Sequence, residues 1–286
     1  MTEKRYFGLK TDGAFNLVMS DNDIVLRVLR AILPEANIQE IVENTAQKQF
    51  DSLGEEKDIR LDIFVRDGNR RLFDVEMQVC NSADLGRRMR YYQSKMDMDG
   101  LPKGNKYKKL SDSYIIFFCD FDPFGKGRAK YVFHLYEDDD KSLGLRNGST
   151  NVIINAKADP ESQHPSVSED FRAILHVLQE DYNVEEDFAK ILKAKLDKIN
   201  EDPVTRRKIM TLQTRLEDER AIGIEEGRQE AIRELELLQA KKELASLERL
   251  TAKPRMPVSE AMTILGISSD DLIRYRQLVA ENKKLN

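Results

Sequence analysis

The chain has 286 residues, 34 % charged and 40 % hydrophobic, too apolar for wholesale disorder and long enough for one domain with an appendage or for two small domains. Its 46 Lys and Arg against 51 Asp and Glu give a formal charge of −5, so no global field draws it to nucleic acid, and such a partner needs a local basic patch. The longest apolar run, Tyr114 to Cys119, is far short of the roughly 20 residues of a membrane span. Residues 1–7 lack a signal peptide's apolar stretch; a cytoplasmic protein with no membrane partner is expected.

In chain order, residues 11–33 carry apolar side chains at helical spacing, Phe15, Val18 and Met19, then Ile24, Val25, Val28, Leu29 and Ile32. Ser20-Asp21-Asn22 between them has N-cap chemistry and Pro34 ends the second group, which predicts two helices. From Ile59 the period changes to two, in Ile59, Leu61, Ile63 and Val65 and again in Phe73, Val75, Met77 and Val79, with Asp67-Gly68-Asn69 between. That pattern is a β-hairpin. Residues 83–98 predict a helix, 113–121 a mostly buried strand, 129–136 and 150–155 further strands, and 171–178 and 185–199 helices. Cys80 and Cys119 sit in apolar, strand-like contexts and are expected to be buried thiols. His134, His164 and His176 show no zinc-ligand spacing.

This order describes a mixed α/β domain over residues 1–200. Residues 201–253 are dominated by Glu, Arg, Lys, Ala, Leu and Gln, a charged helical arm that could be one helix, a helical pair or a coiled coil joining a homodimer. Residues 254–286 outline two short helices joined through Gly266, either a helix-turn-helix or a plain helical hairpin used for packing.

The chemistry concentrates in the hairpin. Asp62 stands in the first strand, and Asp74, Glu76 and Gln78 alternate with apolar residues in the second. Residues two apart on a strand share a face. A three-residue Asp67-Gly68-Asn69 loop pairs Arg66 with Arg70, sets Asp62 opposite Asp74 and leaves Glu76 one diagonal away; a two-residue Gly68-Asn69 turn would put Asp62 beside an apolar residue. In the first register Asp62, Glu76 and the Met77 carbonyl could supply oxygens to Mg²⁺; the alternative is a charged outer strand face. A basic stretch follows, with Arg87, Arg88, Arg90, Lys95, Lys103, Lys106, Lys108 and Lys109 against Asp97 and Asp99. Arg87, Arg88, Tyr91, Tyr92 and Lys95 fall at spacings suited to phosphate and to a base or sugar face.

Asp62 with Glu76-Met77-Gln78 resembles the PD-(D/E)XK nuclease core, in the variant with Gln where Lys is usual. Thr11-Asp12-Gly13-Ala14-Phe15, Val75-Glu76-Met77-Gln78 and Arg88-x-x-Tyr91-Tyr92-x-Ser94, followed by Gly104-x-x-Tyr107-x-x-Leu110, resemble more narrowly the recombination-promoting nuclease and transposase family, often called Rpn. The resemblance implies a restriction-endonuclease-like α/β fold, a mixed sheet flanked by helices with a helical C-terminal arm. It also implies cleavage of DNA phosphodiesters with Mg²⁺ or Mn²⁺, associated with recombination or mobile elements. Carried over by motif, Asp62 and Glu76 are the metal ligands, Gln78 takes the lysine position and Asp12 the acidic position on the first helix. Since Gln78 cannot serve as cation or base, water activation would fall mainly to the metal. The second reading is a catalytically weak or inactive nuclease-fold protein that binds or regulates, assembled through its arm.

Overall fold

The computed structural model describes residues 5–50, 59–81, 83–161, 167–252 and 256–285; His164 lies outside them. The chain divides into two compact units, Met1–Gln213 and Thr214–Asn286. The first contains helices α1 (Asp12–Met19) and α2 (Asn22–Ile32), strands β1 (Ile41–Phe50), β2 (Ile59–Asp67) and β3 (Leu72–Gln78), and helix α3 (Leu85–Gly100). Strands β4 (Ser113–Cys119), β5 (Lys130–Phe133) and β6 (Ser149–Asn155) and helices α4 (Glu169–Leu178) and α5 (Asp187–Glu201) complete it. The strands form one sheet in the order β1-β2-β3-β4-β6-β5. β3, β4 and β6 run parallel at its centre, with antiparallel pairs toward both edges.

Helices α1, α2, α4 and α5 cover one face, where Phe15, Val25, Leu175 and Leu192 pack on Ile63, Phe73, Val75, Ile116 and Phe118. Helix α3 covers the other with Leu85, Met89 and Met96 against Phe64, Ile115, Phe117 and Ile153. This explains the nearly continuous apolar run of β4, a central parallel strand buried on both faces. Asp21 caps α2 as its spacing predicts, accepting from the Asp23 and Ile24 amides. Gly13 in the first helix admits the Ile209 side chain, whose Cγ1 would lie 3.0 Å from a Cβ there, so the start of the long helix α6 (Pro203–Thr251) packs into this core.

Two expectations are corrected. The hairpin pairs Ile63 with Val75, Phe64 with Asp74, Val65 with Phe73 and Arg66 with Leu72, so the three-residue loop that placed Arg66 opposite Arg70 does not form. Asp67 enlarges the turn: its Oδ1 accepts from the Asn69 and Arg71 amides at 3.0 and 2.8 Å and its Oδ2 pairs with the Arg71 guanidinium at 2.6 Å. Parity is retained; continued by one residue, the register sets Asp62 opposite Glu76, while Asp74 faces Phe64. Second, Cys119 is buried but Cys80 is exposed, because β3 ends at Gln78 and the apolar alternation runs past the sheet.

In the second unit α6 continues and is followed by α7 (Val258–Leu265) and α8 (Ser269–Leu285). Gly266 ends α7 in the left-handed conformation at φ 68°, where glycine carries no Cβ penalty. Ala240, Leu247, Ala261 and Ile267 are buried, and Arg274 of α8 pairs with Glu236 of α6. Among the described residues no helix is long and apolar enough to cross a membrane.

Candidate metal and nucleic-acid site

Where β2 meets β3, two carboxylates replace backbone carbonyls as partners of the facing strand. The Asp62 amide donates to Glu76 Oε1 at 2.7 Å, and the Met77 amide donates to Asp62 Oδ2 at 3.1 Å. Each acid is thus fixed by the other strand's backbone, and Asp62 Oδ1 and Glu76 Oε2 remain free of amide donors. Gln47 of β1 lies between the β2-paired residues Ala46 and Lys48 with φ 54°, a left-handed distortion of the strand next to Asp62.

The pair is electrostatically strained. Burial, then the charge of Asp62, pushes the Glu76 carboxyl up to about 8. Burial, then Asp12 on α1, pushes Asp62 up to about 6. Asp12 is itself raised by burial and eased by Arg60. Asp74, absent from the expected site, is fully buried two residues before Glu76, and burial together with Glu76 raises it well above the carboxylate range. A side-chain hydrogen bond between the two acids raises Asp74 and lowers Glu76, and no N–H or hydroxyl reaches either Asp74 oxygen, which suits a neutral Asp74 carboxyl donating to Glu76. Crowded, desolvated acids with their own charge uncompensated are the donor set a divalent cation satisfies, and the residues present fit such an ion.

A cation reaches Glu76 from α3. Arg88 Nη1 donates to Gln78 Oε1, and its Nη2 donates to Tyr92 Oη at 3.1 Å and lies 3.8 Å from Glu76 Oε2. Its guanidinium rests over the Tyr92 and Phe117 rings at 5.4 and 5.3 Å. Arg88, placed by sequence among DNA contacts, therefore stands at the carboxylates as well. Gln78 also donates to the Cys80 carbonyl at 2.5 Å, so its amide is held on both sides. Arg87, Arg88, Tyr91 and Tyr92 line a cleft of about 610 Å³ with Arg60, which brings four of the five expected DNA-contact residues together. The fifth, Lys95, is only 8 % exposed, with its ammonium 5.6 Å from the Tyr91 ring, and does not join that cleft's lining. Asp74 and Arg60 were missed by sequence reasoning; the alternation that selected Glu76 also marks Asp74, and the alternation of β2 puts Arg60 on the face of Asp62, two residues away.

Away from this region Glu161, His176 and Glu186 bring ligand atoms within 4.8 Å of one another, a grouping that histidine spacing does not announce. Arg172 faces Glu161 and Glu186 at 3.9 and 3.8 Å, and Asp181 faces His176 at 3.1 Å, so these groups already compensate one another.

No curated protein and no solved structure matches the chain. A family model described as PD-(D/E)XK nuclease family transposase matches residues 9–236, a span that holds the whole sheet, both hairpin acids and much of α6. PD-(D/E)XK nucleases generally use divalent metal ions, in keeping with the acid pair on the diverging hairpin. The chain belongs to the PD-(D/E)XK nuclease family transposases.

Proposed function

We propose that the protein is a Mg²⁺-dependent DNA endonuclease that hydrolyses phosphodiester bonds. The observation that carries this reading is the crossed anchoring of Asp62 and Glu76, each carboxylate held by the opposite strand's amide. These two residues, with the Met77 carbonyl, would hold the ion. Bound there, Mg²⁺ or Mn²⁺ would lower the pKa of a water and neutralise charge on the phosphate. Arg88 supplies the fixed positive charge that Gln78 lacks, and Asp12 adds negative charge behind Asp62. Arg60, Arg87, Tyr91 and Tyr92 bind and orient the nucleic acid in the adjacent cleft. Acids on paired strands keep their geometry without reorganising.

Purified protein is expected to nick or linearise plasmid with Mg²⁺ or Mn²⁺ and to stop on chelation. Asp62→Asn should stop it too while leaving the circular dichroism spectrum unchanged; cutting that survives in this variant removes the assignment. The exposed Ile224, Leu235 and Leu238 of α6 lie on one helical stripe, and we place a homodimer contact there. Sedimentation should show a dimer that Leu235→Glu converts to monomer, and a monomeric native chain would discard it.

A further inference from the structure

A cleft of about 720 Å³ lies at the turn end of the β2–β3 hairpin, away from the acids, between the turn and the C-terminal end of α3. Phe64, Leu72 and Leu101 give it apolar walls, while Arg70, Lys108 and Lys109 line it with positive charge. Other charged groups there are already matched: Arg71 by Asp67, Arg66 by Glu43, and Asp99 by Lys48. Among the described residues no carboxylate pairs with Arg70, Lys108 or Lys109; Lys109 donates only to the Asn105 side chain, at 3.2 Å. Asp112 is the remaining acid of the lining. The turn carries a second sign. Its left-handed residue is Arg70, at φ 66°, although Gly68 and Asn69 just before it would adopt that conformation at lower cost. Strain of this kind at a non-glycine residue gathers at ligand sites.

We propose that this cleft is a second phosphate seat, in which Arg70 and Lys108 hold the backbone of a DNA duplex beyond the point of cleavage. The assignment rests on the reading of Asp62 and Glu76 as a DNA-cutting pair. The stretch of α3 from Arg88 to Gly100 is roughly 18 Å long at 1.5 Å per residue, which spans about five phosphates of one strand at ~3.4 Å each. Cations set between apolar walls focus their field on an anion in the cleft. Because an acidic chain has no general attraction for DNA, a second seat would fix the duplex axis along α3 and give the scissile phosphate its orientation.

The test is duplex binding by the full chain in chelator, followed by fluorescence anisotropy on a labelled 20-base-pair DNA across a KCl series. The Arg70→Ala/Lys108→Ala double variant is compared with the native chain, and circular dichroism confirms that both are folded. The variant is expected to bind about tenfold more weakly at ~0.1 M salt, with the slope of log K against log salt reduced by about two. Equal affinity and slope, or weaker binding with an unchanged slope, overturns the seat, as does a native chain that binds no duplex. A thermal shift by orthophosphate that the double variant loses, with duplex binding unaltered, would reassign the cleft to small anions and overturn the DNA role. A native chain with the expected slopes that fails to cut with Mg²⁺ keeps the seat and removes the nuclease reading. Cutting by the native chain with identical slopes in the variant does the reverse.

Discussion

Replacing Glu76 by Gln should stabilise the metal-free protein. The substitution keeps the shape and an oxygen to accept the Asp62 amide, and removes a carboxyl that burial and Asp62 force up from 4.5 to about 8. A group raised in the fold imposes no penalty below its unfolded value. Above that value the unfolded chain releases its proton while the folded chain keeps it, and stability falls by about 1.4 kcal/mol for each pH unit until the folded value is reached. At pH 7 the penalty is therefore about 3 kcal/mol. For a domain of this size the melting temperature of Glu76→Gln should rise by about 6 to 12 °C in chelator at pH 7. The gain should vanish near pH 4.5, and between there and about pH 8 the native chain should lose stability more steeply than the variant, in which Asp62 and Asp74 remain raised. Added Mg²⁺ should reverse the ranking, since it stabilises only the chain whose carboxylates bind it. Differential scanning calorimetry over pH with and without Mg²⁺ decides the matter. A Glu76→Gln variant that melts below the native chain in chelator at pH 7 would refute the claim that this acid is electrostatically strained.

Arg88→Ala should lower the rate of Mg²⁺-dependent plasmid cutting by roughly 10²-fold or more, the scale of one lost charge-stabilising donor, and Arg88→Lys should recover part of it because an ammonium cannot reproduce the forked contacts to Gln78 and Tyr92. Single-turnover kinetics reads both. Asn200→Ala should cost about 2 to 4 kcal/mol in urea unfolding, because the buried amide accepts from the Phe7 N–H at 2.8 Å and donates to the Phe7 and Leu196 carbonyls at 3.0 and 2.9 Å, and its loss leaves those groups unsatisfied. Asp21→Ala should cost about 1 kcal/mol as a lost cap. The Lys195 hydrogen bond and charge hold Asp21 below the usual carboxylate range, so its contribution should persist above pH 3.8 and disappear as pH falls through the lowered value, as a urea series over pH would show.

The hairpin was legible because a period of two is a direct consequence of pleating, and it correctly put Asp62 on the same side as an acid of the second strand. The partner was misjudged by two residues because the loop length depends on Asp67 folding back onto Asn69 and Arg71, an interaction that turn composition alone does not reveal. Strand β1 was not predicted at all. Ile41–Phe50 is mostly polar and half-buried, as an edge strand can be, and its alternation is too faint to read. Arg88 and Gln78 are ten residues apart and on different elements, so their contact depends on how α3 crosses β3 and β4. Lys95 reads as a surface cation from charge alone, yet the same helix turns it inward over Tyr91.

The position of Arg88 also bears on why a neutral residue at 78 is compatible with a working site. A lysine projecting from β3 beside Glu76 would be free to pair directly with the buried acids, easing their repulsion but competing for the oxygens a metal needs. Arg88 is instead held by neutral groups, the Gln78 carbonyl oxygen, the Tyr92 hydroxyl and two aromatic faces. Its approach to Glu76 Oε2, 3.8 Å, is longer than a hydrogen bond. The guanidinium thus lowers the cost of charge at Glu76 through its field without itself hydrogen-bonding that oxygen. Gln78 serves in this arrangement as the acceptor that keeps Arg88 in place, so Gln78→Leu should reduce cutting by loosening Arg88 and Gln78→Glu should do so by drawing the guanidinium into a salt bridge; a Gln78→Leu variant with native single-turnover rates would show that Arg88 needs no such anchor.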